Sequence, residues 1–228
     1  MPAEKRVVTE DKAEPTTAAK KMLRRFIPEF LLAERSIVSK VGPKAGRIYA
    51  ELRALDLLGM RSATAQRVPP STRSFLFVCF GNIMRSAMAE SLMRQAIQEM
   101  APEKATDVRI VSAGIHATEG KEAHEWAQTA ALDLGMSLQG HRAKPLTREM
   151  VDKADCILAM DFQNKAELLT LYPDAQKKIY MLSAYAEGPW HNRQIPDPYF
   201  GDVDVTRFCA QQLRICVRNL IATTICAP

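Results

Sequence analysis

The sequence predicts an α/β domain, a parallel sheet with helices on both faces, preceded by a partly helical extension. Three observations carry this reading. Apolar runs of strand length alternate with helix-length periodic stretches from about residue 74 onward. A segment without periodicity, S-A-T-A-Q-R-V-P-P-S-T-R-S at 62–74, separates them from what comes before. The basic charge is concentrated ahead of that segment: residues 1–70 hold 14 Lys and Arg against 8 Asp and Glu, whereas the rest of the chain is close to neutral.

Each element follows from its own pattern. The first seventeen residues, polar and with two prolines, read as a tail. Residues 18–58 have apolar positions at helical spacing, with interruptions expected at Pro28 and at Gly42-Pro43. The division therefore runs between a basic extension with its linker, 1–72, and a domain at 73–228. Within the domain, strands are expected at 75–78, 108–112, 156–160 and 179–182. Helices are expected at 86–100, 122–134, 162–171 and about 205–225, with a short one capped by Thr147. Strands that alternate with helices imply parallel pairing, because a parallel neighbour needs a crossover and a helix supplies it.

Composition narrows the classes. No run approaches the roughly 18 apolar residues of a membrane span, and the charged start lacks the apolar core of a secretory signal, so the expected location is cytoplasmic. The cysteines, Cys79, Cys156, Cys209, Cys216 and Cys226, are odd in number and lack zinc-like spacing, which argues against a disulfide framework and a zinc site. Cys209 and Cys216, seven apart, fit one helix face as small apolar side chains. His116, His124, His141 and His191 form no metal motif and read as surface or loop residues, with His116 a candidate for the rim of a pocket.

The chemistry concentrates where strand one meets the next helix, L-F-V-C-F-G-N-I-M-R-S-A-M-A-E at 76–90. In open parallel sheets ligands bind beyond the carboxyl ends of the strands. A loop running into a helix there turns backbone N–H groups into a concavity, and the helix dipole adds positive character, which together hold an anion. Gly81 is expected to allow the tight turn and Asn82 to brace it. Arg85 supplies a planar fork for two phosphate oxygens. Cys79 at the mouth of the loop sits in a field that favours thiolate over thiol, which makes it a nucleophile, and the hydroxyl of Ser86 is placed to donate to the sulfur.

The stretch V-C-F-G-N-I-M-R-S-A-M-A-E resembles the signature of the low-molecular-weight protein-tyrosine phosphatases. The likeness continues through S-A-G at 112–114, G-H-R-A-K-P-L at 140–146, I-L-A-M-D at 157–161 and I-P-D-P-Y at 195–199, spanning about residues 74–225. It is strongest to the bacterial branch. The resemblance implies a flavodoxin-like sheet of four parallel strands and hydrolysis of phosphotyrosine through a cysteinyl-phosphate intermediate, without metal or cofactor. It implies that Cys79 attacks phosphorus, that Arg85 and the loop residues Phe80, Gly81, Asn82, Ile83, Met84 and Ser86 bind the phosphoryl group, and that Asp197 in Asp-Pro-Tyr is the general acid. A carboxylic acid facing the nucleophile protonates the departing phenoxide and then deprotonates the attacking water. Tyr199 and Phe80 would wall a slot for an aryl phosphate. The implied partner is a phosphotyrosine protein, such as a bacterial tyrosine autokinase of polysaccharide export.

Three positions depart from or discriminate within that pattern. Met84 occupies the place where many family members carry a second cysteine that captures the oxidised nucleophile. Ala87 replaces a proline of the first helical turn. Ile83 stands where the arginine phosphatases resembled by this signature have threonine, which points toward phosphotyrosine. Two rival readings keep the same fold: an arsenate reductase, whose resolving cysteines near strand three are represented only by Cys156, and a phosphotyrosine-binding module without catalysis, against which the retention of Cys79, Arg85 and Asp197 argues. The extension is open to packing on the domain, docking on an acidic partner, or peripheral contact with an anionic membrane; a nucleic-acid partner is not expected, because its Lys and Arg are interleaved with acids.

Overall fold

A computed structural model describes residues 41–60, 66–191 and 194–226. They belong to one compact unit, Val38–Pro228. The tail expected over residues 1–17 and the helical pattern at 18–40 lie outside the described residues.

Four strands form the sheet: β1 (Ser74–Cys79), β2 (Arg109–Gly114), β3 (Cys156–Ala159) and β4 (Ile179–Met181). All pairings are parallel, in the order β2-β1-β3-β4. β1 is central and β3 is buried throughout, which is why both read as near-continuous apolar runs rather than alternating ones. The chain steps from β1 to one neighbour and then returns to the other side of β1. That reversal places a crevice beyond the carboxyl end of β1, where Cys79 ends the strand.

The helices are α1 (Gly42–Leu57), α2 (Arg85–Met100), α3 (Glu125–Asp133), α4 (Arg148–Lys153), α5 (Phe162–Leu171) and α6 (Val203–Thr224). They cover the sheet in two groups. α2, α3 and α6 pack on one another, and α5 packs against β3, β4 and α1. Their starts match the cap chemistry of the sequence: Thr147, Asp161 and Asp202 each accept a backbone N–H of the following turn. Cys209 and Cys216 are both fully buried on α6, as small apolar residues on one helix face. No helix among the described residues is long and apolar enough to cross a membrane.

The segment expected as a linker differs from that expectation over its second half. Val68 is buried in the main core, its N–H donates to the Tyr185 hydroxyl at 2.7 Å, and the Arg67 guanidinium lies 5.1 Å from the centre of the Tyr185 ring. Aperiodic sequence records the lack of regular backbone, not the lack of anchoring. Gly42-Pro43, expected to interrupt a helix, instead opens α1, with proline in the first turn where its missing N–H costs nothing.

Candidate active site

The loop between β1 and α2 closes around Cys79. Its sulfur lies 3.0 Å from Ser86 Oγ and accepts the N–H of Asn82 at 3.3 Å. α2 begins directly beyond, with no side-chain cap and no acidic residue in its first turn, so its N-terminal N–H groups and dipole remain directed at the loop.

Asn82 holds the loop's shape. It is the one non-glycine residue with positive φ among those described, at 53°, a conformation asparagine tolerates better than most. Its Nδ2 donates to Ser86 Oγ at 2.8 Å and Ser112 Oγ at 2.9 Å, its Oδ1 accepts from Lys144 N at 2.9 Å, and its carbonyl accepts from His141 Nε2 at 2.7 Å. Ser112 in turn donates to a carboxylate oxygen of Glu90. A carboxylate only accepts, so the directions along this chain are set from Glu90 inward, and the Ser86 hydroxyl, already accepting from Asn82, has its one proton to give either to the sulfur at 3.0 Å or to the more distant Ala113 carbonyl at 3.4 Å.

Within the tight turn expected at Gly81, the left-handed residue is Asn82, which was expected to brace the loop. Gly81 has ordinary space for a side chain, with Ile83 the nearest neighbour at 3.6 Å. The glycine that the loop needs is Gly114 at the end of β2. A Cβ there would come within 2.8 Å of backbone atoms of Phe80, Gly81 and Asn82, which no rotamer can relieve. Beyond it, the N–H groups of Ile115 and His116 bond to the carbonyls of Cys79 and Phe80.

Arg85 is buried, with 2% of its side chain exposed, and its guanidinium is held by two carboxylates from distant parts of the chain. Nη1 donates to Asp161 and Nη2 to Asp197 Oδ2 at 2.8 Å. Burial opposes its charge, but the carboxylates of Asp161 and Asp197 more than offset this and raise its pKa above the usual arginine range. Asp197 is bonded on both oxygens, Oδ1 accepting from Tyr199 N at 3.3 Å. Its side chain is also partly exposed. Phe80 and Tyr199 are exposed, each in its own ring contact: Phe80 lies 4.6 Å from the His116 ring, and Tyr199 lies 5.7 Å from that of His124. Ile83 and Met84 are buried beneath the loop.

Cys79, Asn82, Arg85, Ser86 and Asp197 thus meet in one place, with Phe80 and Tyr199 at its rim. His116, expected at the rim of a pocket, lies against Phe80, while several other residues at this place were not singled out by sequence. Asp161 falls within a quoted motif but carries no signal of its own beyond being a helix cap. The histidines read as surface residues are bonded: His116 Nε2 to Glu167, His141 to the Asn82 carbonyl, and His124 as the cap of α3, while its own N–H bonds the Ile83 carbonyl. Among the described residues no cluster of His, Cys, Asp or Glu is arranged to hold a metal ion. The remaining thiols lie elsewhere. Cys156 opens β3 opposite Phe75, four residues from the Cys79 end of β1 and so about 13 Å along the sheet.

A family profile described as "Low molecular weight phosphotyrosine protein phosphatase" matches residues 74–225. The chain is 34% identical over 126 residues to the low molecular weight protein-tyrosine-phosphatase Etp of Escherichia coli K12, covering 55% of this chain and 77% of that one. It is 30% identical over 145 residues to the protein-arginine-phosphatase of Bacillus subtilis, covering 64% and 92%. Among solved structures, the tyrosine phosphatase AmsI of Erwinia amylovora superposes with a TM-score of 0.59 at 28% identity, over 67% of this chain and 93% of that one. With sheet order, loop and profile all in agreement, the chain belongs to the low molecular weight phosphotyrosine protein phosphatase family.

Proposed function

We propose that this phosphatase hydrolyses phosphotyrosine in proteins, with residues 73–228 as the catalytic domain and Cys79 as the nucleophile. The observation that carries the reading is the convergence, at one anion cradle, of a sulfur with two donors, a buried guanidinium and a half-exposed carboxylic acid.

In the first half-reaction the Cys79 sulfur attacks phosphorus, the S–P bond forms and the bond from phosphorus to the aryl oxygen breaks. The loop N–H groups and Arg85 hold the three non-bridging oxygens, and Asp197 gives its proton to the departing oxygen. In the second, Asp197 takes a proton from a water that attacks phosphorus, releasing phosphate and the cysteine. Asp197 Oδ2 accepts from the Arg85 guanidinium and Oδ1 from the Tyr199 N–H. Arrival of a phosphoryl group, which takes over the arginine's donors, frees Oδ2 to carry the proton.

Both tyrosine and arginine phosphatases are among the chain's relatives. The apolar Ile83 in the loop and the exposed rings of Phe80 and Tyr199, each packed against a histidine, favour a flat aryl group. Arsenate reduction is disfavoured by the distance from Cys79 to Cys156 along the sheet, and a binding-only role by the presence of the whole reacting set. The proposed partner is a phosphotyrosine protein, such as a tyrosine autokinase of polysaccharide export, met in the cytoplasm, where thiols stay reduced. A vesicle-sedimentation assay at graded anionic lipid content tests whether the basic extension adds membrane contact.

The deciding experiment is a panel of matched peptides bearing phosphotyrosine, phosphoarginine or phosphoserine, with arsenate alongside. The expected result is kcat/KM for phosphotyrosine at least about 100-fold above the others. Preference for phosphoarginine, or thioredoxin-dependent turnover of arsenate, defeats the assignment.

A further inference from the structure

Helix α1 precedes Ser74, the first residue matched by the family profile, yet it is built into the domain. Ala45, Gly46, Tyr49 and Leu52 form a buried stripe at helical spacing, and among the described elements its main packing partner is α5. α5 also contacts β3 and β4. Of its ten residues, Phe162 and all of 164–168 are buried, more than a helix covered on one side would hide. Lys165 lies within that run, and burial pushes its pKa down to about 8.

α5 is also the element that brings two carboxylates to the site. Asp161, its N-cap, accepts from Asn164 N at 2.7 Å and from the Arg85 guanidinium. Glu167, further along the same helix, bonds His116, whose ring packs on Phe80 beside the nucleophile. A helix of ten residues is marginal by itself, so its position is set by the surfaces that cover it. One of those surfaces is α1.

We propose that helix α1 is a positioning part of the active site: by covering α5 it holds Asp161 on the Arg85 guanidinium and Glu167 on His116, so residues outside the family domain set how the phosphate fork is presented. Its kinetic readout rests on the phosphatase reading above; its binding readout does not.

The test is a double-mutant cycle in the full chain, with Leu52→Ala, Asp161→Asn and their combination. Asparagine still caps a helix, so the second change removes the negative charge that faces Arg85 with little effect on α5 itself. Two quantities are read for each folded variant: kcat/KM for p-nitrophenyl phosphate, and Kd for inorganic phosphate by calorimetry. The expected result is that Leu52→Ala costs about fivefold or more in both, but less than about twofold when Asp161 is already asparagine. Leu52→Met, which keeps the volume, restores most of the loss.

Equal losses in the two backgrounds, or no loss in a folded Leu52→Ala protein, overturn the proposal. Should Leu52→Ala not fold, Leu52→Val is read in the same cycle. If the wild type turns over no phosphomonoester, the phosphate Kd alone decides the coupling; if turnover is normal and the cycle additive, the coupling fails and the phosphatase reading stands.

Discussion

The loop proposed to hold phosphate and the turn that carries the proposed acid are built on opposite plans. From Cys79 to Ser86 every residue except Phe80 and Gly81 is buried, and Asn82 alone makes one bond within the loop, to Ser86, and three to two other segments, at Ser112 and at His141 with Lys144. The turn Pro198–Phe200 is more open: it is tied down by the Asp197 ion pair with Arg85, by buried Pro198 and by the His124 ring, but Tyr199 is 43% and Phe200 89% exposed. The difference teaches that the invariant part of the substrate, a small tetrahedral dianion, meets a rigid cradle. The variable part, the protein around the phosphorylated side chain, meets a surface able to adjust.

Breaking the rigid half should have the largest effects. Cys79→Ser is expected to lower turnover by at least about 10,000-fold while inorganic phosphate still binds, since the cradle survives the loss of its nucleophile. A serine variant that turns over would end the covalent scheme. Asp197→Ala comes next, with a loss of about 100- to 10,000-fold on phenyl phosphate and a smaller loss on p-nitrophenyl phosphate, whose leaving group needs less help. Equal losses on the two esters would remove Asp197 from the role of acid.

Two glycines sharpen the comparison within the cradle itself. Gly114→Ala must push the phosphate loop aside and should cost about 1–3 kcal/mol of stability and weaken phosphate binding, whereas Gly81→Ala should cost less than half of that. Denaturant unfolding and phosphate titration of both variants check the order, and a reversed order would return the strained position to Gly81.

The thiols test the same contrast by reactivity. Burial pushes Cys209 and Cys216 up to about 12, and Cys156 is shifted in the same direction for the same reason. Below about pH 12 these groups remain thiols, so iodoacetate near pH 7 should modify Cys79, with protection by phosphate, and the exposed Cys226, sparing the other three until the protein unfolds. Peptide mapping after brief alkylation reads this directly. The smallest effect is expected at the open rim: Phe200→Ala should leave p-nitrophenyl phosphate hydrolysis within about twofold, because the side chain faces solvent. A larger loss would mean that the rim, too, is part of the rigid machinery.

The ease of reading each part from sequence follows from how far apart its partners lie. Cys79, Asn82, Arg85 and Ser86 are neighbours in one strand–loop–helix unit, so their meeting is a local matter of spacing and turn chemistry. The strands and most helices were legible for the same reason, since apolar periodicity reports the face each element buries. Asp161 was not, because nothing at residue 161 marks it as a partner for a guanidinium 76 residues away. Glu167 with His116, and His141 with Asn82, were missed likewise, and lone histidines carry no spacing that distinguishes a bonded ring from a solvated one. The anchoring of Val68 escaped because a hydrogen bond to Tyr185 leaves no trace in the composition of residues 62–74.

By itself the sequence determined the order of strands and helices, the placing of a cysteine and an arginine around a helix N-terminus, and a candidate acid 112 residues further on. Those depend on backbone preferences and on side-chain periodicity, which act between near neighbours. Only the tertiary structure decided that Asp161 and Asp197 share one buried guanidinium, that Gly114 rather than Gly81 makes room for the loop, and that α1 covers α5. Those depend on which surfaces the folded chain brings within a few ångströms, and charge pairing and steric exclusion become specific only at that range.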